Sequence, residues 1–322
     1  MNGFWTNRRV LVTGGTGFLG QAVCRLLDSQ EPTLLAVPAS GDYDLRRSQD
    51  AAKLLQHTNP DTVIHLAAQV GGIGANQQRP ADLYLNNLLM GTNIIEQCRL
   101  ANTNRLVVVG TICSYPKHTA VPFTEDSLWD GYPEETNAPY GIAKLAHLTQ
   151  LQANRSQYGQ QGIYLMPTNL YGPGDKFHPA VSHVIPALIK KCVDAVENSH
   201  RSIVVWGTGT ASREFLYVDD AARGILAATE HYMGAEPVNL GANREIAIKD
   251  LVEHIAQICG FNGQIEWDPT KPDGQPRRCV DASRAIELFG FEATTAFSDG
   301  LKRTYNWYMA NRQQAEKLSK QD

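Results

Sequence analysis

A glycine-rich turn between a strand and a helix constrains this chain more than any other feature. The turn reads Thr13-Gly-Gly-Thr-Gly-Phe-Leu-Gly20. It follows the apolar run Arg9-Val-Leu-Val12, which predicts a buried parallel strand, and it precedes helical spacing over residues 21–27. This order is typical of a dinucleotide-binding domain, in which the pyrophosphate lies at the helix N-terminus. The chain is therefore expected to form an α/β fold, a Rossmann doubly wound parallel sheet.

The glycines of the turn have separate expected roles. Gly14 or Gly15 permits the sharp bend. Gly17 lets the backbone approach a pyrophosphate, and Gly20 lets the helix lie close to the strand. The other residues expected to contact the cofactor here are Thr16, Phe18 and Leu19. Taken alone, the pattern also fits a glycine-rich turn that binds no ligand.

The residues after the second predicted strand bear on which dinucleotide is bound. That strand is expected at residues 33–37, and NAD enzymes usually carry Asp or Glu just beyond it to bind the ribose 2′-hydroxyl. Here Pro38-Ala-Ser-Gly41 follows, so no carboxylate repels a 2′-phosphate, and no Arg stands there to bind it. Ser40 or the backbone is the remaining candidate. The sequence favours NADP(H).

Tyr140-Gly-Ile-Ala-Lys144 is the strongest chemical motif. Residues four apart share one face of a helix. A nearby ammonium favours the phenolate, so Lys144 is expected to lower the tyrosine pKa by about 1–3 from its usual value. Tyr140 would then be an acid/base, and Lys144 would bind the nicotinamide ribose. Thr111 could bind the substrate oxygen beside Tyr140, although a loop threonine that caps the backbone is the alternative.

Strands and helices alternate through the first half of the chain. Strands are predicted at 61–68, 105–109 and 163–166, and helices at 84–100 and 140–158. The loops after residues 68, 109 and 166 should converge on one crevice, because ligands bind beyond the carboxyl ends of such strands. The cofactor contacts predicted at these ends are Ala67, Ala68, Pro167, Thr168, Asn169 and Leu170.

The regular alternation stops after about Gly174. We expect a Rossmann domain over residues 1–174 and a smaller substrate-binding domain over 175–322. A segment at about 213–241 is expected to return to the first domain, so that the two are interleaved.

Composition excludes several other classes of protein. A chain of 322 residues is long enough for two domains, and its net charge of −4 argues against a nucleic-acid surface. No apolar stretch reaches the roughly 18–20 residues that span a bilayer, and the N-terminus lacks a signal-peptide pattern. The 6 cysteines lack metal-ligand spacing. These observations predict a cytoplasmic protein with reduced thiols and no metal site.

The order of glycine turn, hydroxyl residue after a strand and Tyr-x-x-x-Lys resembles the extended short-chain dehydrogenase/reductase family. Within that family, further segments are similar to the NADPH-dependent 3,5-epimerase-4-reductases that convert GDP-4-keto-6-deoxy-D-mannose to GDP-L-fucose. Those segments are 70–76, 113–117, 167–173, 182–187, 205–210, 213–216 and 271–277. The resemblance also implies a homodimer through helices 84–100 and 140–158.

The resemblance implies roles for further residues. Cys113 and His183 match the acid/base pair that inverts C3 and C5 through enolates, and His183 also borders the cofactor. Which residue serves which centre stays open, and from sequence alone each could be structural. The residues implied to bind the substrate are Lys191, Trp206, Arg213, Asp273 and Arg278.

Three positions depart from the family pattern. Thr111 replaces the usual Ser, Thr16 stands where an Arg near the 2′-phosphate is common, and Lys191 stands where an Arg is common. Lysine keeps the charge but loses the bidentate geometry of arginine.

Other assignments remain open at this point. The alternatives are a nucleotide-sugar 4-epimerase or 4,6-dehydratase and a non-catalytic dinucleotide sensor. A dehydratase should carry an acidic residue beside Thr111, where Ile112 stands. A sensor should lack Tyr140 or Lys144, and both are present.

Overall fold

The computed structural model describes residues 3–179, 181–271 and 273–317. The strands are β1 (Arg9–Thr13), β2 (Leu34–Ala36), β3 (Thr62–His65), β4 (Arg105–Val109), β5 (Gly162–Pro167), β6 (Asn169–Tyr171), β7 (Ser202–Trp206), β8 (Ser212–Tyr217), β9 (Val238–Leu240), β10 (Glu245–Ala247), β11 (Gln264–Asp268) and β12 (Arg277–Arg278). The helices are α1 (Phe18–Asp28), α2 (Ser48–Thr58), α3 (Ile73–Gln78), α4 (Pro80–Leu100), α5 (Ala138–Tyr158), α6 (Val184–Glu197), α7 (Val218–His231), α8 (Ile248–Cys259), α9 (Ser283–Phe289) and α10 (Phe297–Ala315). In the described part of the chain, no helix has the length and apolar character needed to cross a membrane.

A six-stranded parallel sheet forms the larger layer of the described fold. Its order is β2-β1-β3-β4-β5-β9. Strands β3 and β5 are buried along their whole length, because helices cover both faces of the sheet. The strand order reverses at β1, and the crevice between the carboxyl ends of β1 and β3 is therefore the topological switch point. The predicted Rossmann doubly wound sheet is confirmed.

A second, smaller unit packs beside this sheet. Strand β8 pairs with β6, β10 and β12, and β7 pairs with β11. Helices α6, α8 and α10 cover these strands through a separate apolar core that includes Leu188, Val252 and Leu301. The segment predicted to return to the first domain is divided: β8 lies in the smaller unit, whereas α7 and β9 pack with the large sheet.

Glu214 links the two units at the crevice. Its fully buried carboxylate accepts hydrogen bonds from three backbone N–H groups, which belong to Ala242, Asn243 and Val280. Burial raises the pKa of this carboxyl, and the same N–H groups oppose that effect. The Glu214 carbonyl oxygen also accepts from the side chains of Thr168 and Asn169. Glu214 therefore links the segment after β5 to residues 242–243 and to Val280.

Two boundaries differ from the sequence-based prediction by more than two residues, and one predicted loop contains a strand. The helix predicted at 84–100 begins at Pro80, since proline is well tolerated in a first helical turn. The strand predicted at 61–68 ends at His65, beyond which the chain meets the glycine turn: the Leu66 nitrogen donates to the Thr13 oxygen at 3.0 Å. The loop predicted at 167–173 contains β6, because it can pair with β8, a strand distant in sequence.

Candidate active site

The glycine turn packs directly against the end of β3. Gly14 has φ of +72°, a conformation that favours glycine. A Cβ added there would lie 2.6 Å from the Ala67 nitrogen, and a Cβ at Gly20 would overlap the Gly14 carbonyl oxygen. The Gly17 nitrogen donates to the Gly14 oxygen at 3.0 Å and closes the turn. The turn therefore requires the absence of side chains at these contacts.

The N-terminus of α1 opens onto this turn. Gly17 is its N-cap residue, and among the described residues no side chain caps the helix. The N–H groups of the first helical turn thus keep their hydrogen-bonding capacity, and the helix dipole adds partial positive charge. This arrangement fits a dinucleotide pyrophosphate bound by Gly14 to Gly20.

The other predicted cofactor contacts lie along the same edge of the sheet. Ala67 and Ala68 follow β3, and Pro167 ends β5. In residues 168–170, the Thr168 hydroxyl donates to the Glu214 carbonyl oxygen of β8, and residues 169 and 170 belong to β6. Ser40 is exposed in the loop after β2, where a ribose 2′-phosphate would lie.

Tyr140 and Lys144 lie in the first turns of α5. Lys144 is only 2% exposed, and burial lowers its pKa to about 8. The pKa of Tyr140 is raised above its usual value, first by burial and then by negative charge at Cys113, while a hydrogen bond with Thr111 opposes the rise. The expectation that Lys144 would lower the tyrosine pKa is wrong for this structure, because burial of the phenol dominates. Tyr140 therefore carries its proton at neutral pH.

Close packing brings Tyr140 and Cys113 together. Residues 112–114 form a short 3₁₀ turn, and the Thr111 hydroxyl accepts from the Cys113 nitrogen at 3.2 Å. Gly141 packs on this turn so tightly that a Cβ would overlap the Cys113 carbonyl oxygen. The Ser114 hydroxyl donates to the Gly141 oxygen at 2.9 Å. The first turn of α5 and the loop after β4 thus place a phenol, a hydroxyl and a thiol in one cluster.

Polar side chains contact the Cys113 thiol from two sides. Its Sγ lies 3.9 Å from Asn137 Oδ1 and 3.7 Å from Arg278 Nη1. The resemblance implied a role for Arg278 only in substrate binding, and the sequence analysis did not point to Asn137. The available signal for Asn137 was a polar residue immediately before the helix that carries Tyr140.

His183 is the N-cap residue of α6 and is exposed to solvent. Desolvation by neighbouring residues, and after it the charge of the Lys176 ammonium, lower the pKa of its imidazole. Ser182, the residue before His183, lies against the 70–76 segment, since a Cβ at Gly72 would be 3.3 Å from the Ser182 carbonyl oxygen. The same segment contacts the surroundings of Cys113, because Asn76 Nδ2 donates to the side chain of Asn137.

Four of the five predicted substrate residues lie close together. Trp206 ends β7 and is 57% exposed. In the turn that follows, the backbone N–H and the hydroxyl of Thr208 both donate to the Asp273 carboxylate. Arg213 Nη2 donates to the Asp273 carbonyl oxygen at 2.8 Å. Burial, and after it the charge of Arg278, lower the Arg213 pKa to about 10, so the two guanidinium groups are neighbours. Paired cations beside an exposed indole suit a nucleoside diphosphate.

Lys191 contacts β7, the strand that ends at Trp206. Its ammonium donates to the Val204 oxygen at 2.8 Å, and burial lowers its pKa. Lys271, which sequence reasoning did not single out, has its ammonium 5.6 Å from the centre of the Trp206 ring. It belongs to the predicted 271–277 segment, in which Pro272 lies outside the described residues.

The chain is similar to a known protein family, to curated relatives and to solved structures. The chain matches the "NAD dependent epimerase/dehydratase family" over residues 10–241. It is 41% identical to GDP-L-fucose synthase 1 of Arabidopsis thaliana over 94% of each chain. It is 36% identical to GDP-L-fucose synthase of Escherichia coli (strain K12) over 95% of this chain and 98% of that protein. A solved structure of a GDP-L-fucose synthetase from Naegleria fowleri bound to NADP is similar with a TM-score of 0.86, at 29% identity and 96% coverage of both chains.

Proposed function

The chain belongs to the NAD dependent epimerase/dehydratase family, within the extended short-chain dehydrogenase/reductases, and on this premise we propose that it converts GDP-4-keto-6-deoxy-D-mannose to GDP-L-fucose. The observation that carries the proposal is the position of Cys113 beside Tyr140 and Thr111: its backbone nitrogen donates to the Thr111 hydroxyl, and its charge acts on the Tyr140 phenol. A simple ketone reductase needs only the phenol and the hydroxyl. A thiol beside them adds a group that can exchange a proton with a neighbouring carbon. The six free cysteines support a cytoplasmic location.

Epimerisation comes first in the proposed mechanism. C3 and C5 both flank the C4 ketone, so removal of either proton leaves an enolate whose negative charge lies on the C4 oxygen. Tyr140 and Thr111 stabilise that charge as hydrogen-bond donors. Cys113 and His183 remove and return the protons on opposite faces of the ring.

Reduction follows at the same C4 carbon. NADPH, when bound, supplies the hydride. Tyr140 supplies the proton to the C4 oxygen, for which its raised pKa is suited because the phenol is protonated at neutral pH. Lys144, one helical turn further along α5, is placed to bind the nicotinamide ribose.

The substrate diphosphate is assigned to the cations beside β8. Arg213 and Arg278 supply the charge, Lys191 approaches from α6, and Trp206 offers an exposed ring for the nucleotide. Asp273 positions Arg213 through its carbonyl oxygen.

The residues of the site give less support to two alternatives, a 4,6-dehydratase and a non-catalytic dinucleotide sensor. A 4,6-dehydratase needs an acid beside Thr111, but Ile112 occupies that position and is only 3% exposed. A non-catalytic sensor has no use for a buried Lys144 next to a half-buried Tyr140.

Purified protein is expected to oxidise NADPH when GDP-4-keto-6-deoxy-D-mannose is added, with GDP-L-fucose as product. Because residues 37–41, directly after β2, carry no carboxylate, kcat/KM should be higher with NADPH than with NADH. The measurement is loss of absorbance of the reduced cofactor, with the product identified by chromatography. An equal or higher kcat/KM with NADH would contradict the cofactor preference, and a product epimerised at neither C3 nor C5 would contradict the function.

We infer that the protein is a homodimer through α4 and α5. An open apolar groove of about 400 Å³ lies there, lined by Pro80, Ala81, Tyr84, Tyr132, Pro139 and Ile142. Leu85 on α4 is 52% exposed. Light scattering should give twice the chain mass, and Leu85→Glu should shift it toward the monomer. Leu288→Glu, at a residue on α9 that is 42% exposed, is the matched control and should leave the mass unchanged. A monomeric wild-type protein would contradict the inference.

A further inference from the structure

The Asn137 side chain has a fixed orientation beside the Cys113 thiol. Its Nδ2 donates to Glu134 Oε2 at 2.6 Å, and its Oδ1 accepts from Asn76 Nδ2 at 2.9 Å. Burial raises the pKa of Glu134, but hydrogen bonds from Thr136 and Asn137 outweigh burial and bring it below the usual value, so the carboxylate is ionised at neutral pH. An ionised carboxylate accepts only, and therefore it fixes the NH₂ group on its own side. The amide oxygen is left facing the sulfur, at 3.9 Å.

Arg278 lies on another side of the same sulfur. Its Nη1 is 3.7 Å from Cys113 Sγ, while its Nε and Nη2 both donate to Gln275 Oε1 at 2.9 and 2.6 Å. Gln275 is 6% exposed, and its own NH₂ group donates to the Lys117 oxygen. The guanidinium is thus held in place by a buried side chain, with one N–H group directed at the thiol.

Cys113 therefore lies between a hydrogen-bond acceptor and a charged donor. A protonated thiol can donate to Asn137, and a thiolate can accept from Arg278. An acid/base passes through both protonation states in each proton transfer, and here each state has its own partner.

The network around Asn137 also reaches the loop before His183. Asn76, which is 7% exposed, belongs to the 70–76 segment, and the Asn76 nitrogen donates to the Gly72 oxygen at 3.1 Å. Gly72 packs against the Ser182 carbonyl. The 70–76 segment, noted in the sequence without a role, therefore connects the surroundings of Cys113 to the residue before His183.

We propose that Asn137 and Arg278 are positioning residues for Cys113, with Asn137 holding the protonated thiol and Arg278 holding the thiolate. The inference rests on the proposed function. In the forward step the thiolate takes the proton from a substrate carbon, and the C–H electron pair moves into the enolate with its charge on the C4 oxygen. For inversion the enolate carbon takes its new proton on the opposite face, from His183, as the C4 ketone forms again, and the thiol loses its proton to solvent before the next cycle. In both steps the sulfur already has its hydrogen-bond partner in place, Asn137 for the thiol and Arg278 for the thiolate.

The first test compares two activities of Asn137→Ala. Deuterium entry into C3 and C5 of the substrate in heavy water measures proton transfer at carbon, and oxidation of GDP-L-fucose by NADP⁺ measures hydride transfer. The ratio of exchange to oxidation should fall about tenfold, the effect of one lost hydrogen bond. Asn154→Ala is the matched control, because Asn154 lies in α5, the helix that Asn137 precedes, and its amide donates to Gln160, away from the thiol. An unchanged ratio in Asn137→Ala would overturn the role of Asn137.

The second test measures the thiolate without substrate. The rate at which iodoacetamide alkylates Cys113 at neutral pH, followed on its peptide by mass spectrometry, should fall severalfold in Arg278→Gln and recover in Arg278→Lys. A role for Arg278 in diphosphate binding alone would raise KM and leave this rate unchanged, which would overturn the proposal for Arg278. If the wild-type enzyme reduces the ketone but exchanges no deuterium, the proposed epimerisation fails and this assignment fails with it.

Discussion

Replacing Tyr140 with phenylalanine is expected to lower the rate of reduction by about 10²–10⁴, the usual contribution of a general acid. The substitution keeps the ring and removes only the hydroxyl that hydrogen-bonds with Thr111. Burial holds the proton on Tyr140 at neutral pH, so the wild-type enzyme has its acid ready when hydride arrives at C4. Single-turnover oxidation of NADPH in the presence of substrate measures this step without interference from product release.

The control for this variant is Tyr158→Phe, at the exposed C-terminal end of the same helix. It should reduce the substrate at the wild-type rate. Turnover of Tyr140→Phe close to that of the wild-type enzyme would show that another group donates the proton to the C4 oxygen.

Cys113→Ser and His183→Asn are each expected to lower deuterium entry into C3 or C5 by about 10²–10⁴. Serine is close in size to cysteine, but its hydroxyl is far too weak an acid to supply a base at neutral pH. Asparagine keeps much of the shape of histidine and cannot exchange a proton in this range. Mass spectrometry or NMR of substrate incubated in heavy water measures each centre separately.

The melting temperature of both variants separates chemistry from packing. Cys113 is half-buried and His183 is exposed, so neither change should alter it by many degrees. Exchange at the wild-type rate in both variants would mean that the pair is structural. Loss at a single centre in each variant would show that the two residues divide C3 and C5 between them.

The sequence alone determined the features that depend on neighbours along the chain. The glycine turn and the apolar strand at 105–109 are encoded by short-range spacing, and the structure has them at the predicted positions. Tyr140 and Lys144 share a helix face for the same reason, since a separation of four residues fixes their direction. The Rossmann sheet follows from the alternation of such elements.

Tertiary structure alone decided the features that depend on burial and on distant contacts. The sequence predicted a lowered pKa for Tyr140, but packing against the loop after β4 desolvates the phenol and raises it. Arg278 reaches Cys113 across 165 residues of chain, and Asn76 reaches Asn137 across 61. No local pattern encodes such contacts, because they exist only once distant segments of the chain have packed around the crevice. The sequence could therefore indicate which residues carry the chemistry, whereas the protonation state of Tyr140 and the side chains around Cys113 came from the fold.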